Sequence, residues 1–313
     1  MNKVQDFIYK LCGFAKNKCD MAGVAKHIAF VRFTNKCPNK CSFCIDRYTP
    51  NSTMLSAEEL AEICLNRTET DIYIGGGEPM IDMERLHKFV NILYGKKRMH
   101  MNTSLPFTAF ARKDLTYDIF NKIDIIDISM HGNNNDDDKK VFKCDYHYDK
   151  ISFIKELNKQ YPGKIVLSCI LMKSKYKSFD DIRCRISTFK KIGISKFYFN
   201  EISTSMSFKV DPEYVSINDL LKASKLPMMK SAFCYGCHVS LNYLFNDPDI
   251  DVHLKRICYR TGGTENPSIM DLLKEVCHIL FRNAKNGDLQ IYEDGSITRY
   301  RKQDIKKIKG KLL

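Results

Sequence analysis

Between Ile28 and Asn200 the chain alternates short apolar runs with segments of helical period. Residues 28–33, 71–74, 98–103, 125–130, 165–172 and 196–200 read as strands, being short, apolar or alternating, and bounded by polar or glycine residues. Between them, Ser56 and Glu59 spell a capping box for a helix running to about Asn66, and helices are predicted at 83–93, 115–123, 148–160 and 179–192, the last opened by Ser178. Strands that return every 25 to 40 residues through a helix describe parallel crossovers, and six of them predict an α/β fold, a partial (β/α)6 TIM-like barrel. Ligands of such barrels gather at the C-terminal strand ends, where the βα loops converge. Residues 133–140, Asn-Asn-Asn-Asp-Asp-Asp-Lys-Lys, read as a polar loop of low complexity. Upstream, Val4, Phe7, Ile8, Leu11 and Ala15 predict an amphipathic helix packed on the core.

Past Ser203 the alternation is expected to stop, which divides the chain into an N-terminal helical extension (1–26), the barrel (27–204) and a C-terminal extension (205–313). In that last part Asn266-Pro267 opens a predicted helix. Residues 289–300 then read as a β-hairpin turning at Asp294-Gly295, expected to close a small domain, before a basic tail.

The chemistry begins at the end of the first strand. Cys37, Cys41 and Cys44 form a C-x3-C-x2-C array, and closely spaced thiolates are what iron–sulfur clusters and zinc select. Zinc would need a fourth ligand, and neither Cys64 nor His27 completes a knuckle. A four-iron cubane on three protein thiolates keeps one iron open. The alternatives are a zinc site or three unrelated thiols. One βα unit later comes Gly75-Gly76-Gly77-Glu78-Pro79, where glycine lets backbone groups approach a small zwitterion.

The cysteine spacing, with Phe43 before the third cysteine, resembles the signature of the radical S-adenosylmethionine (radical SAM) superfamily, and the glycine run strengthens the resemblance. It covers about residues 28–202 and implies a barrel of radical SAM type holding a [4Fe-4S] cluster on Cys37, Cys41 and Cys44. It further implies that the open iron binds SAM, that Gly75, Gly76, Gly77 and Glu78 hold its methionyl amino group, and that Phe43 lies near the adenine. Ser129 and His131, with Asn102 as a further candidate, occupy strand ends where the family places polar residues against the ribose. The implied activity is reductive cleavage of SAM to a 5′-deoxyadenosyl radical that abstracts hydrogen from a substrate, with an external one-electron donor. No catalytic side chain is assigned.

Cys234 and Cys237 form a C-x2-C turn across glycine, with Cys258 and Cys277 beyond, so a second [4Fe-4S] cluster or a zinc site is expected in the C-terminal extension. That arrangement is loosely similar to SPASM and twitch extensions but departs from the full SPASM order. A net charge of +13 favours an anionic partner, such as a nucleotide or a nucleic-acid base. A peptide-modifying maturase is the alternative, and a non-catalytic zinc protein binding nucleic acid is another. Thirteen cysteines, an N-terminus without an uninterrupted apolar core, and no membrane-length apolar stretch predict a cytoplasmic protein without membrane contact.

Overall fold

The structure, a computed structural model, describes residues 28–44, 53–202, 212–226, 238–240, 244–245, 247–255 and 289–298. The expected N-terminal helix, the expected helix after Asn266, the basic tail, Cys234, Cys237, Cys258 and Cys277 lie outside the described residues.

All six expected strands are present: β1 (Ile28–Thr34), β2 (Asp71–Gly76), β3 (Arg98–Thr103), β4 (Ile125–Ser129), β5 (Ile165–Leu171) and β6 (Lys196–Glu201), paired in parallel in that order. The helices between them are α1 (Ala57–Leu65), α2 (Met83–Leu93), α3 (Phe107–Ala111), α4 (Lys113–Lys122), α5 (Asn135–Phe142), α6 (Lys150–Gln160) and α7 (Phe179–Lys190). Ser56 caps α1 through the expected box with Glu59, and Ser178 with Asp181 does the same for α7.

Two elements correct the sequence reading. The polar stretch expected to be an irregular loop at 133–140 contains the start of α5. Asn134 caps it, three aspartates fill its first turn and two lysines its last, so charge arrangement along the helix axis replaces apolar periodicity as the local signal. The short helix α3, after Pro106, was not anticipated.

The sheet also continues past both ends of the six-strand set. After α8 (Ile217–Ala223), β8 (Asp251–Lys255) pairs parallel to β6, with β7 (His238–Ser240) antiparallel at the edge. The predicted hairpin forms from β9 (Leu289–Ile291) and β10 (Ile297–Thr298), but β9 pairs parallel to β1 instead of closing a separate small domain. The reason is apolar: Leu289 and Ile291 belong to the same buried cluster as the barrel strands.

The two faces of the sheet differ. Ala29, Val31, Phe33, Ile72, Ile74, Met99, Met101, Ile126 and Ile128 pack with helix residues such as Leu60, Leu86 and Phe89 in one core. By strand alternation the opposite face carries Phe30, Arg32, Tyr73, His100, Asn102, Asp127 and Ser129. There the Phe30 ring lies tilted against Tyr73 at 5.1 Å between ring centroids, and the Tyr73 hydroxyl donates to Asp127 Oδ2 at 3.2 Å. Barrel interiors are ordinarily filled by branched apolar layers, so this polar inner face marks a surface committed to something other than packing.

Candidate functional site

Cys37, Cys41 and Cys44 lie on one loop at the C-terminal end of β1: Cys37 exposed, Cys41 buried, Cys44 half-buried. The loop is fastened on several sides. Gly77 N–H donates to Thr34 O at 2.6 Å and Glu78 N–H to Lys36 O at 2.8 Å, so the glycine run lies directly against it. Asn39 Nδ2 donates to Ser104 Oγ beyond β3 at 2.8 Å, and Lys40 N–H to Phe142 O at the end of α5 at 2.8 Å. From the hairpin, Glu293 accepts from Asn35 N–H at 2.7 Å and from Asn35 Nδ2 at 2.9 Å. Sequence reasoning missed Glu293, because nothing local ties a hairpin acid to a residue 258 positions away.

Close backbone approach explains two of the three glycines. Gly76 has φ +109, and a Cβ there would meet Thr34 O at 2.7 Å; at Gly77 it would meet Lys36 O at 2.2 Å. Gly75 is different, since its nearest neighbour would be the Tyr73 ring at 3.7 Å. The Glu78 side chain is buried and fully engaged. Its carboxylate accepts from Met80 N–H at 3.1 Å, Thr103 Oγ1 at 2.7 Å, and Ser104 N–H and Oγ, both at 2.6 Å. Burial raises its pKa, and these donors oppose the rise.

The donor set fits a thiolate-bound iron–sulfur centre. Burial, then the neighbouring Cys44 and Cys37 sulfurs, push the Cys41 thiol up to about 12, so its thiolate is disfavoured in the unloaded loop and a cationic centre would stabilise it. Cys144, half-buried, adds to the same effect and was not singled out from the sequence. Among the described residues no three His, Cys, Asp or Glu side chains are spaced for a single metal ion.

Around the rim, Phe43 meets His131 edge-on at 5.2 Å between ring centroids. His131 is buried; its Nδ1 accepts from Ile170 N–H at 3.3 Å, and burial, with Lys150, Arg185 and Lys175 nearby, drives its pKa down to about 3 against the pull of Asp138. Asn102 Nδ2 reaches Ser129 Oγ at 3.4 Å on the inner face. Thus the structure brings Phe43, Gly75, Gly76, Gly77, Glu78, Asn102, Ser129 and His131 to one end of the sheet with the three cysteines.

Residues 31–182 match the family model of the Radical SAM superfamily. No functionally curated sequence matches the chain. Among solved structures, Streptococcus suis SuiB bound to S-adenosylmethionine superposes with TM-score 0.62 at 13% identity, over 89% of this chain and 63% of that one. SuiB bound to the precursor peptide SuiA gives TM-score 0.59 at 14% identity, over 93% of this chain and 61% of that one. The fold is therefore shared with SuiB, while the chain spans less than two thirds of SuiB's length. No described helix is long and apolar enough to cross a membrane.

Proposed function

Because residues 31–182 belong to the radical SAM superfamily, we propose that the chain is an enzyme that binds a [4Fe-4S] cluster on Cys37, Cys41 and Cys44 and uses SAM. When bound, the cluster and SAM would supply a 5′-deoxyadenosyl radical, formed with one electron from an external donor, that abstracts hydrogen from a substrate carbon. The chain's own residues hold and orient. Cys41 supplies the buried thiolate of the trio, and the open backbone at Gly75 suits the methionyl amino group. Glu78 works one step back, tying the glycine run to Thr103 and Ser104. Phe43, edge-on to His131, would lie near the adenine, and Asn102, Ser129 and His131 would line the ribose side. The observation that carries this reading is the hydrogen-bonded contact between the cysteine loop and the glycine run.

For the substrate, the net charge of +13 favours a nucleotide or nucleic-acid base. A peptide substrate is the second reading, favoured because the fold match with peptide-bound SuiB extends over 93% of this chain. Cys234, Cys237, Cys258 and Cys277 are the candidates for a second [4Fe-4S] cluster or a zinc ion, whichever substrate is used.

Anaerobic reconstitution should give about four irons per chain, or about eight with a second cluster, together with 5′-deoxyadenosine from SAM and reductant. Cys41→Ala should abolish that product, whereas Cys64→Ala, in the α1 core, should retain it. Zinc at the first loop with no 5′-deoxyadenosine would overturn the proposal. Deuterium transfer into 5′-deoxyadenosine from labelled nucleotides or labelled peptides separates the two substrates.

A further inference from the structure

The end of β4 is held by buried charges that no motif announces. Along Ser129–Gly132, Lys150 Nζ donates to Ser129 O at 2.9 Å and Arg185 Nη2 donates to Met130 O. Asp138 Oδ1 accepts from His131 N–H at 2.6 Å and Gly132 N–H at 3.0 Å, and Arg185 Nη1 donates to Gly132 O at 2.9 Å and Asn133 Oδ1 at 3.0 Å. Met130 N–H completes the ladder to Ser168 O at 2.9 Å. The charges also bind each other: Lys150 Nζ donates to Asp138 Oδ2 at 2.7 Å, and the Tyr146 hydroxyl to the same oxygen at 3.2 Å. Asp138, Lys150 and Arg185 are each at most 1% exposed. Gly132 is required because a Cβ there would lie 2.1 Å from Asp138 N, so α5 abuts the rim with no room for a side chain.

Three buried ionic side chains drawn from three helices α5, α6 and α7 thus converge on one four-residue turn. Replacing them with apolar residues would ordinarily cost a fold little or even stabilise it, so stability alone does not account for them. What they supply is fixed direction. With these backbone groups pinned, Ser129 Oγ and the His131 ring are held toward the inner face and toward Phe43.

We propose that Asp138, Lys150 and Arg185 are positioning residues that preform the β4 rim as the ribose subsite of SAM. This rests on the SAM reading above. The key variant is Arg185→Met, which leaves Met130 O and Gly132 O without their donor. In the reconstituted holoenzyme, the KM for SAM in 5′-deoxyadenosine formation should rise about 10- to 100-fold, with kcat at saturating SAM and iron content within twofold of wild type. A purely structural role would lower the active fraction, and with it kcat, leaving KM in place. Tyr146→Phe trims the network from outside and should raise KM by a smaller factor if Arg185→Met does not fold.

A second readout needs no cofactor. In the full chain before reconstitution, the His131 and Gly132 amides should be strongly protected from hydrogen exchange and should exchange at least tenfold faster in Arg185→Met. Folded variants with KM for SAM within twofold of wild type and unchanged exchange would overturn the proposal. Wild-type holoenzyme that fails to form 5′-deoxyadenosine while the exchange result stands would instead sink the SAM reading.

Discussion

The rim of the barrel is built in two ways. At β1 to β3 the cysteine loop, the glycine run and the β3 end are joined by backbone hydrogen bonds, by the Asn39–Ser104 contact and by two carboxylates, Glu78 and Glu293, whose donors there are all uncharged. At β4 the turn is caged by Asp138, Lys150 and Arg185. The neutral half uses close approach, and the ionic half uses charge. Neutral packing leaves a loop's own side chains available, whereas a charge cage fixes direction at the expense of desolvation.

Breaking one acid in each half separates them most sharply. Asp138→Asn leaves Lys150 buried without its anion and should cost about 3–5 kcal/mol in urea unfolding. Glu78→Gln keeps the shape but turns an amide toward donors, and about 1–3 kcal/mol is expected. Equal losses would erase the distinction between the two halves.

Next in size is Gly77→Ala. Its Cβ would meet Lys36 O at 2.2 Å, so the cysteine loop and glycine run must part, costing about 2–3 kcal/mol and lowering the iron retained after reconstitution. A variant with wild-type stability would show that this contact is looser than the structure has it.

The neutral half was legible from sequence and the ionic half was not. Cys37, Cys41, Cys44 and Gly75 to Gly77 are local strings whose spacing carries their chemistry, and the six strands follow from apolar runs alone. Asp138 sits in an Asn/Asp/Lys stretch that lacks helical periodicity, while Lys150 and Arg185 fall within the predicted helices 148–160 and 179–192 with no motif to mark them. Burial of a lysine or arginine is a tertiary fact, against the usual preference of both for solvent. The hairpin was seen but misplaced, because its pairing with β1 depends on a register between distant segments.

The two halves should also answer acid in opposite directions. His131 has a folded pKa of about 3 against an ordinary 6.5, so between those values the unfolded chain binds the extra proton and stability falls as pH falls, by up to about 1.4 kcal/mol per unit. At Glu78 burial raises the folded pKa above 4.5, so the folded chain takes up its proton first and acidification through that window favours folding. Urea midpoints measured from pH 7 to 4 should lose a measurable part of their acid slope in His131→Gln, with His100, also lowered by burial, supplying a further part of the same sign. Retention of the full slope would remove His131 from the groups that carry it.

The smallest structural effect is expected at Gly75, and it divides packing from binding within the glycine run. A Cβ there finds only the Tyr73 ring, at 3.7 Å, which is ordinary contact, and its φ lies outside the left-handed region. Gly75→Ala should therefore leave unfolding free energy within about 0.5 kcal/mol of wild type. If the backbone at this position faces the methionyl end of SAM, the added methyl will stand between them, and SAM affinity by equilibrium dialysis should fall severalfold at unchanged stability. Unchanged affinity would assign all three glycines to the contact between β1 and β2 and move the amino-group site off this turn.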